Sequence, residues 1–444
     1  MIVGKLPPPP KYRSQTKLTK PSEINQLVEH LFRHESGRMV AVLTRIFGAE
    51  NLALAEDVVQ DSLIEAIKNW TYKGIPNNPS AWLFTTAKNK ALNVINREKY
   101  KRQYSAEQQH LPQTEWDIEH TLSHLFTEQE VLDNQLRMIF TCCHPSISPD
   151  SQIALTLKTL CGFSTKEIAR GFLTTDENIH KRLVRARKKI RDEKIPFEVP
   201  YGAGLENRLQ TVLETVYLLF NEGYSASTGA DLIRYEICEE AIRLTEIIAN
   251  HPSIKHKSTV YALLALMQLN ASRFKARQDG EGNILTLEEQ NRSLWDLTLM
   301  EKGFANLEKS ASSKQISAYH ILASISAYHC MTVNNKPADW ESILALYDNL
   351  IQIDSSPVVL LNRAIALSKA RGAQKAIEEL EKIKSTASLK SYYLFYSAQA
   401  AFYMELSQFS KAASTLETAI ELAPLQAEKK LLQKKLEQCL QKIF

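Results

Sequence analysis

A run of positive charge lies between residues 181 and 191, where seven of eleven side chains are lysine or arginine and none is acidic. This stretch, KRLVRARKKIR, belongs to a chain whose formal net charge is only +4. Ordinary surface helices mix both signs, because opposite charges four residues apart stabilise a helix. A block of one sign is suited to neutralising the phosphates of a nucleic acid. We therefore expect a DNA contact here; the alternative is a solvated surface helix.

The sequence around this block predicts a helix-turn-helix. Ser164 or Thr165 can cap a first short helix, and Thr174 or Thr175 can cap a second helix that carries the basic block. On the second helix four apolar residues recur at helical spacing and predict one buried stripe: Ile179, Leu183, Ala186 and Ile190. The basic side chains, among them Lys181, Arg182, Arg185 and Lys188, occupy the remaining faces. Such a helix can lie in the major groove of DNA.

Another helix, predicted from Ser80 to Lys99, carries a column of amides. Its expected buried stripe is Leu83, Ala87, Ala91 and Val94. Its other side collects Trp82, Thr85, Asn89, Asn93 and Asn96, with Lys88 and Arg97 nearby. An aromatic ring, amides and cations together suit unpaired bases, which stack, form hydrogen bonds and carry phosphates. We expect this side to bind single-stranded DNA, although Trp82 read alone would be assigned to the core.

A third helix, predicted from residue 52 to residue 70, carries acceptors in register. Asp57, Gln60 and Asp61 share its outward face at i, i+3 and i+4. Its expected buried face is Val59, Leu63, Ala66, Ile67 and Trp70. The acceptors can bind arginines on a partner helix. A plain solvated face explains the same spacing, and periodicity alone favours that alternative.

Enzymatic and metal chemistry are not indicated. Cys142, Cys143 and His144 are adjacent and cannot all point at one tetrahedral metal ion, so we expect buried thiols at a helix end. The sequence contains no glycine-rich phosphate loop, nucleophile elbow or HExxH motif. We expect no enzyme, no metal and no cofactor.

The elements that position these residues are predicted to be helices throughout, so the expected fold class is all-α. Composition divides the chain into a flexible tail (1–20), a helical unit (21–102), a polar linker (103–130), a second helical unit (131–194) and a long helical extension (195–444). The six cysteines are expected to be reduced core thiols, and a cytoplasmic location is expected because no signal peptide or membrane span is evident. In the extension, RGAQKAIEELEKI recurs 36 residues later as SQFSKAASTLETA, close to the period of tetratricopeptide repeats.

Taken in order, these elements resemble the extracytoplasmic-function sigma factors of bacterial RNA polymerase, and most closely the subgroup with a C-terminal extension similar to tetratricopeptide repeats. The resemblance rests on AEDVVQDSLIEAI, NNPSAWLFTTAKNKALNVI, LRMIFTCCHPSISPDSQIALTLKTLCGFSTKEIARGFL, KRLVRARKKIRDEKIPFEVP and YLLFNEGYSASTG. It runs from Pro21 through most of the chain. The first stretch is common to sigma factors, and the others together are typical of the subgroup.

The resemblance implies a role for each surface. The clamp helices of the polymerase β′ subunit would be held by Asp57, Gln60 and Asp61. The minus-ten promoter element, with a flipped base, would be captured by Trp82, Thr85, Lys88, Asn89, Asn93, Asn96 and Arg97. The minus-thirty-five element would be read by Thr175, Asn178, His180, Lys181, Arg182, Arg185 and Lys188. The extension is expected to restrain or support these units, with a regulatory protein as a further partner; a structural role is the alternative.

Two other functions fit part of the sequence. A stand-alone dimeric helix-turn-helix regulator with a sensor built from tetratricopeptide repeats would read a two-fold DNA site. Such a regulator has no use for the outward residues Asp57, Gln60 and Asp61, which we call the acidic strip, or for the column of amides on the helix that begins at Ser80. An enzyme or scaffold with an incidental basic helix would be favoured by a bound cofactor. The sigma-factor hypothesis instead requires core polymerase and promoter DNA as partners and no nucleotide hydrolysis.

Overall fold

The computed structural model describes residues 21–104, 123–172, 174–224, 235–280, 283–313, 315–331, 338–383, 387–424 and 426–443. The predicted tail and the centre of the predicted linker, residues 105–122, lie outside these ranges. The chain folds as two compact units that meet in sequence between Val212 and Leu213, except that the short segment Arg170–Leu173 groups with the second unit. Within the described ranges no β-strand forms, and one isolated antiparallel bridge joins Gln278 and Ile284. The predicted all-α class is confirmed.

The N-terminal part of the first unit is a set of three helices, which we call the first module (residues 21–104). They are α1 Pro21–Phe47, α2 Leu52–Lys73 and α3 Pro79–Tyr104, with a 3-10 turn at Ala49–Asn51. Gly74 ends α2 with a φ of 80°, a conformation that costs glycine little. Pro79 begins α3, where its missing N–H removes no helical hydrogen bond.

The second module (residues 123–192) contains the predicted helix-turn-helix. Its helices are α4 Glu128–Cys142, α5 Pro149–Thr159, α6 Thr165–Gly171 and α7 Asp176–Asp192. Ser164 caps α6, because its Oγ accepts a hydrogen bond from the Glu167 N–H (3.1 Å) while the Glu167 carboxylate accepts one from the Ser164 N–H (2.7 Å). Thr175 caps α7, accepting a hydrogen bond from the Asn178 N–H (3.3 Å). Of the two candidates for each cap, these are the residues used.

The two modules pack directly on each other. Helix α1 contacts α2 and α3 of its own module and also α4 and α5 of the second module. Its backbone comes so close to the end of α5 that a Cβ atom on Gly37 would lie 2.1 Å from the carbonyl oxygen of Leu160. Gly162, with a φ of 65°, lies against the α1 backbone at Phe32 in the same way. We call this packing of the first module on the second the closed arrangement.

The predicted buried faces are confirmed apart from two residues, Ile67 of α2 and Val94 of α3, the second of which is half-buried. Val59, Leu63, Ala66 and Trp70 of α2 are buried, but Ile67, predicted to be buried with them, is 38% exposed. Ile67 lies at the edge of the buried stripe, and no neighbouring helix covers that edge fully. All six cysteines are free and buried, as predicted for core thiols.

The second unit continues as helices that are packed in sequence. Helix α8, Ala203–Tyr224, spans the unit boundary, and the helices after it are α9 Tyr235–Asn250, α10 Ser258–Ala271, α11 Leu297–Ser310, α12 Ala318–Met331, α13 Trp340–Leu350, α14 Pro357–Arg371, α15 Ala373–Ile383, α16 Ala387–Lys390, α17 Tyr393–Glu405, α18 Phe409–Leu422 and α19 Gln426–Ile443. None of the described helices is long and apolar enough to cross a membrane.

The internal echo in the sequence corresponds to two helix pairs. The pair α14/α15 and the pair α17/α18 begin 36 residues apart, at Pro357 and Tyr393. Each pair is joined by a tight turn that contains a residue of positive φ, Gly372 (95°) in one and Ser407 (59°) in the other. Small residues are buried where helices meet, among them Ala364, Ala376, Ala398 and Ala412. Their assignment to the tetratricopeptide type stays a prediction.

Candidate nucleic-acid interface

Helix α7 buries its apolar stripe and exposes its basic faces. Ile179, Leu183, Ala186 and Ile190 are the buried residues of this helix, as the periodicity predicts. His180, Lys181, Arg185 and Lys188 are exposed. The helix packs through its stripe against α5 and against the 3-10 turn of the first module. A solvent-facing cationic surface therefore lies on a helix that is fixed from behind.

The polar side chains in the N-terminal turn of α7 already form hydrogen bonds within that turn. Thr175 and Asn178 are exposed, but the Thr175 hydroxyl serves as the helix cap and the Asn178 side-chain N–H donates to the Thr174 hydroxyl (3.0 Å). Arg182 is half-buried and forms an ion pair with Asp150 at 3.2 Å. DNA would therefore compete with existing partners at Asn178 and Arg182, whereas the exposed Arg185 has no ion pair within the described ranges.

If α7 contacts DNA through its basic faces, as the sequence predicts, Arg185→Ala should weaken DNA binding more than Arg182→Ala, because Arg182 would have to give up its ion pair with Asp150 to reach DNA. Each phosphate contact that is lost lowers the slope of log affinity against log salt by about 0.9. The measurement is the affinity for a DNA fragment across a salt series, with core RNA polymerase added as the resemblance to sigma factors requires. The control Arg191→Ala removes an exposed arginine at the far end of α7, and an equal loss of slope in that variant would contradict the assignment.

Helix α3 presents the predicted amide column on its solvent side. Leu83, Ala87 and Ala91 are fully buried, and Val94 is half-buried. Asn89, Asn93 and Arg97 are exposed, whereas Lys88 and Asn96 are half-buried. Asparagine is a poor helix former, so an exposed column of it lowers helix stability and is better explained by binding than by folding.

Trp82 belongs partly to the core and partly to this surface. Its ring meets the buried Trp70 edge to face, with 5.4 Å between the ring centroids, yet the residue remains half-buried. Trp70 therefore holds the Trp82 ring in a fixed orientation while part of it faces solvent. This arrangement reconciles the core and stacking alternatives, since a stacking ring binds best when it is held before the base arrives.

A cavity of about 360 Å³ opens at the start of α3. Its walls include Asn78, Phe84, Thr85 and Lys88. The second module closes one side, where Phe126 meets the Phe84 ring edge to face at 6.1 Å, and Lys88 Nζ donates to Ser123 Oγ at 3.3 Å. An aromatic wall beside amide, hydroxyl and ammonium groups is suited to a nucleic-acid base. The closed arrangement thus covers part of the surface predicted to capture the minus-ten element.

Helix α2 carries acidic residues on two faces, one exposed to solvent and one buried in the protein. Asp57, Gln60 and Asp61 are exposed and share the outward face. Glu56, their neighbour in sequence, is 8% exposed and points into the protein. The outward residues are therefore free of the core and available to a partner helix, as the spacing predicts.

Sequence reasoning missed an ion pair between the modules. Glu56 accepts a hydrogen bond from the Arg187 guanidinium of α7. Arg187 belongs to the basic block of residues 181–191, but it is half-buried and turned toward the first module. Burial raises the pKa of Glu56, and the charge of Arg187 opposes that rise. No basic residue lies four positions before or after Glu56 in the sequence, and this could have indicated that its ion-pair partner is distant in the chain.

Arg187→Met will destabilise the first unit by about 3 kcal/mol near neutral pH, because the buried Glu56 is left without its partner. The folded pKa of Glu56 is raised above its ordinary value of 4.5, so the cost of burying its charge is absent below that value, grows as pH rises toward the folded pKa and is complete above it. The loss of stability should therefore shrink toward acid pH.

The measurement is urea unfolding of wild type and variant at several pH values. The double variant Glu56→Gln/Arg187→Met is the control, since it removes both charges and should lose the pH dependence of the single variant. A destabilisation of Arg187→Met that stays constant from pH 4 to pH 8 would contradict a charged Glu56–Arg187 pair.

Two further ion pairs join the modules. Arg33 of α1 pairs with Glu167 of α6 and also stacks on the Phe163 ring, with its Cζ 3.9 Å from the ring centroid. Arg38 of α1 pairs with Glu128 of α4 at 2.5 Å. Surface ion pairs contribute little each, about 1 kcal/mol at most. Together with the Gly37 contact they define one register between the modules.

In the described part of the chain, no three histidine, cysteine, aspartate or glutamate side chains come together as metal ligands. Cys142 is buried beside the Thr159 hydroxyl, and burial raises the pKa of its thiol.

Comparison with known proteins gives three family matches along the chain. A model described as sigma-70 region 2 matches residues 31–100, and one described as sigma-70, region 4 matches residues 137–190. A family of unknown function, DUF6596, matches residues 208–311. An uncharacterized protein of Rhizobium meliloti (strain 1021) is 33% identical over 384 residues, which cover 86% of this chain and 89% of that protein. No solved structure gives a significant match.

Proposed function

We propose that this chain, which belongs to the extracytoplasmic-function-like sigma factors with a C-terminal extension, recruits core RNA polymerase to specific promoters and helps to melt them. A sigma factor acts in transcription initiation and binds core polymerase and promoter DNA. The proposal assigns these contacts to α2, α3 and α7. Asp57, Gln60 and Asp61 hold the β′ clamp helices, the Trp82 side of α3 captures the minus-ten element, and α7 reads the minus-thirty-five element.

One observation carries this proposal. Helices α3 and α7 both bury an apolar stripe in the first unit and expose a face whose chemistry suits nucleic acid, amides on one and cations on the other. Several side chains of these faces, among them Asn89, Asn93, Arg185 and Lys188, are exposed and lie outside the core. Two separate DNA-reading faces on one chain match a protein that contacts two promoter elements at once.

The closed arrangement adds a step to this function. Helix α7 packs on the first module, and residues Ser123 and Phe126 cover part of the cavity at α3. In the proposal, contact of polymerase with the acidic strip lets the modules separate so that each can reach its promoter element. Each module alone binds DNA weakly, and the polymerase provides the avidity.

The second unit has a regulatory role in the proposal. Its paired helices are of the kind that makes concave protein-binding surfaces, so it restrains or supports the first unit and accepts a regulatory protein. The protein works in the cytoplasm, where core polymerase and DNA are, and it performs no catalysis of its own.

The test is a melting assay on a promoter fragment that carries a fluorescent base in the minus-ten element. We expect the fluorescence to rise when core polymerase and this protein are both present and to stay low with either alone. Tight binding of duplex DNA by the protein as a symmetric dimer, with no effect of polymerase, would instead favour a stand-alone regulator.

A further inference from the structure

Two arginines of the second unit lie close together, and no described residue forms an ion pair with either of them. Arg273 and Arg277 flank the short 3-10 turn Phe274–Ala276 that follows α10. Arg273 is 9% exposed, and Arg277 is half-buried. Within the described ranges, the hydrogen bonds of both guanidinium groups go to uncharged oxygens. Buried charges in proteins are normally paired with an opposite charge.

Both guanidinium groups are held by Tyr224 at the end of α8. Arg273 Nη2 donates to the Tyr224 hydroxyl at 3.0 Å and to Asn270 Oδ1 at 2.7 Å. Arg277 Nη1 donates to the Tyr224 carbonyl oxygen, and its Cζ lies 3.8 Å from the centroid of the Tyr224 ring. A tyrosine thus fixes the relative position of two like charges.

Most of the donors on the two groups are unused. A guanidinium has five N–H donors, and Arg273 uses only Nη2 among the described contacts, while Arg277 uses only Nη1. The Arg273 Nε is buried with no hydrogen-bond partner. A buried donor without an acceptor costs free energy, and among the described residues none supplies the acceptor that would complete this site.

The electrostatic environment is unfavourable to these charges as they stand. The pKa of Arg277 is lowered by its burial, and the nearby charge of Arg273 lowers it further. The pKa of His329 is lowered to about 4 by burial and by the charges of Arg273 and Arg292. The charge of Arg273 therefore disfavours a second positive charge at both Arg277 and His329.

The surroundings are rigid, so the arginines are held in place. The Phe274 ring packs against Tyr235 at 5.1 Å and against Tyr224 at 5.8 Å between centroids, and the Phe220 ring stacks on Tyr224 at 5.6 Å. These ring contacts surround the Tyr224 side chain, which both guanidinium groups contact. The two charges are preorganised, which favours binding.

We propose that Arg273 and Arg277 bind a phosphate group, carried either by free phosphate or by a small phosphorylated molecule. Two forked guanidinium groups offer parallel N–H donors to phosphate oxygens. A phosphate group carries close to two negative charges at neutral pH, which balances the two positive charges of the site. This site belongs to the second unit and does not depend on the function proposed for the first.

The test is titration calorimetry of the full chain with inorganic phosphate and, separately, with glycerol phosphate, at constant ionic strength. We expect saturable binding of at least one of them, and the tighter one identifies the source. Arg277→Gln should weaken that binding about tenfold to a hundredfold, because it removes hydrogen bonds from a charged group. Tyr224→Phe keeps both charges but releases Arg273, and it should weaken binding as well.

The matched control is Arg371→Gln, which removes an exposed arginine of the same unit and should bind like wild type. Thermal unfolding without phosphate gives a second readout. There, Arg277→Gln should be as stable as wild type or more stable, because it relieves a buried, unbalanced charge. Absence of saturable binding in wild type, or equal binding by wild type and Arg277→Gln, would overturn the proposal.

Discussion

The double substitution Asp57→Arg/Asp61→Arg will weaken binding to core RNA polymerase by more than about a hundredfold, since it places positive charges against the basic partner surface proposed for this strip. Both side chains are exposed and contribute nothing to the core of the first unit. Helix content and thermal unfolding should therefore stay as in wild type. The measurement is a fluorescence titration of labelled protein with core polymerase, with circular dichroism as the check on folding.

A matched control separates this contact from a general effect of charge. Glu301→Arg/Glu308→Arg changes net charge by the same amount on exposed positions of α11 in the second unit, and it should bind polymerase as wild type does. If the Asp57/Asp61 variant and the control bind equally well, the acidic strip is only a solvated face. That result would remove the polymerase contact from the proposed function.

Gly37→Ala will open the closed arrangement while it leaves each module folded. The added Cβ would lie 2.1 Å from the Leu160 carbonyl oxygen and 2.9 Å from the Leu160 Cα, both of them backbone atoms. Backbone cannot turn away as a long side chain can, so α1 and the end of α5 must separate. In an isolated α1 the same change would stabilise the helix by about 0.5–1 kcal/mol, because glycine is a poor helix former.

The expected result is a larger radius of gyration in small-angle scattering with unchanged helix content. Gly204→Ala is the matched control, since Gly204 also lies in a helix and nothing stands within 4 Å of an added Cβ there. The control should remain as compact as wild type. Gly37→Ala that stays equally compact, or that loses helix content, would show that the contact does not act as described.

Opening of the closed arrangement should also raise the affinity for core polymerase. If only the open form binds polymerase, the closed arrangement lowers the apparent affinity by the fraction of molecules that are open. Gly37→Ala should then bind core polymerase more tightly than wild type, although it touches neither the acidic strip nor a DNA-reading face. Together, Asp57→Arg/Asp61→Arg and Gly37→Ala separate the contact with polymerase from the rearrangement that precedes promoter binding.

Much of the first unit follows from local sequence. The stripe Ile179–Ile190 on α7 and the stripe Leu83–Ala91 on α3 follow from apolar residues at helical spacing, because an amphipathic helix buries one side whatever it packs against. The caps Ser164 and Thr175 follow from hydroxyls placed before a helix. For the same reason, the exposed face of α2 at Asp57 and Asp61 could be predicted before any neighbour was known.

The partners of those helices could not be predicted from sequence. Glu56 and Asp57 are adjacent acids on one helix, yet Glu56 is buried against Arg187, 131 residues away, and Asp57 is exposed. The need for glycine at position 37 could not be predicted either, because it depends on the close approach of the Leu160 backbone.

In the second unit, Arg273 and Arg277 lie together only because Tyr224 reaches them from another helix. Periodicity fixes which side of a helix is buried, because that choice depends on residues one turn apart. Which helix lies opposite depends on contacts between residues far apart in the chain, and only the tertiary structure decides those.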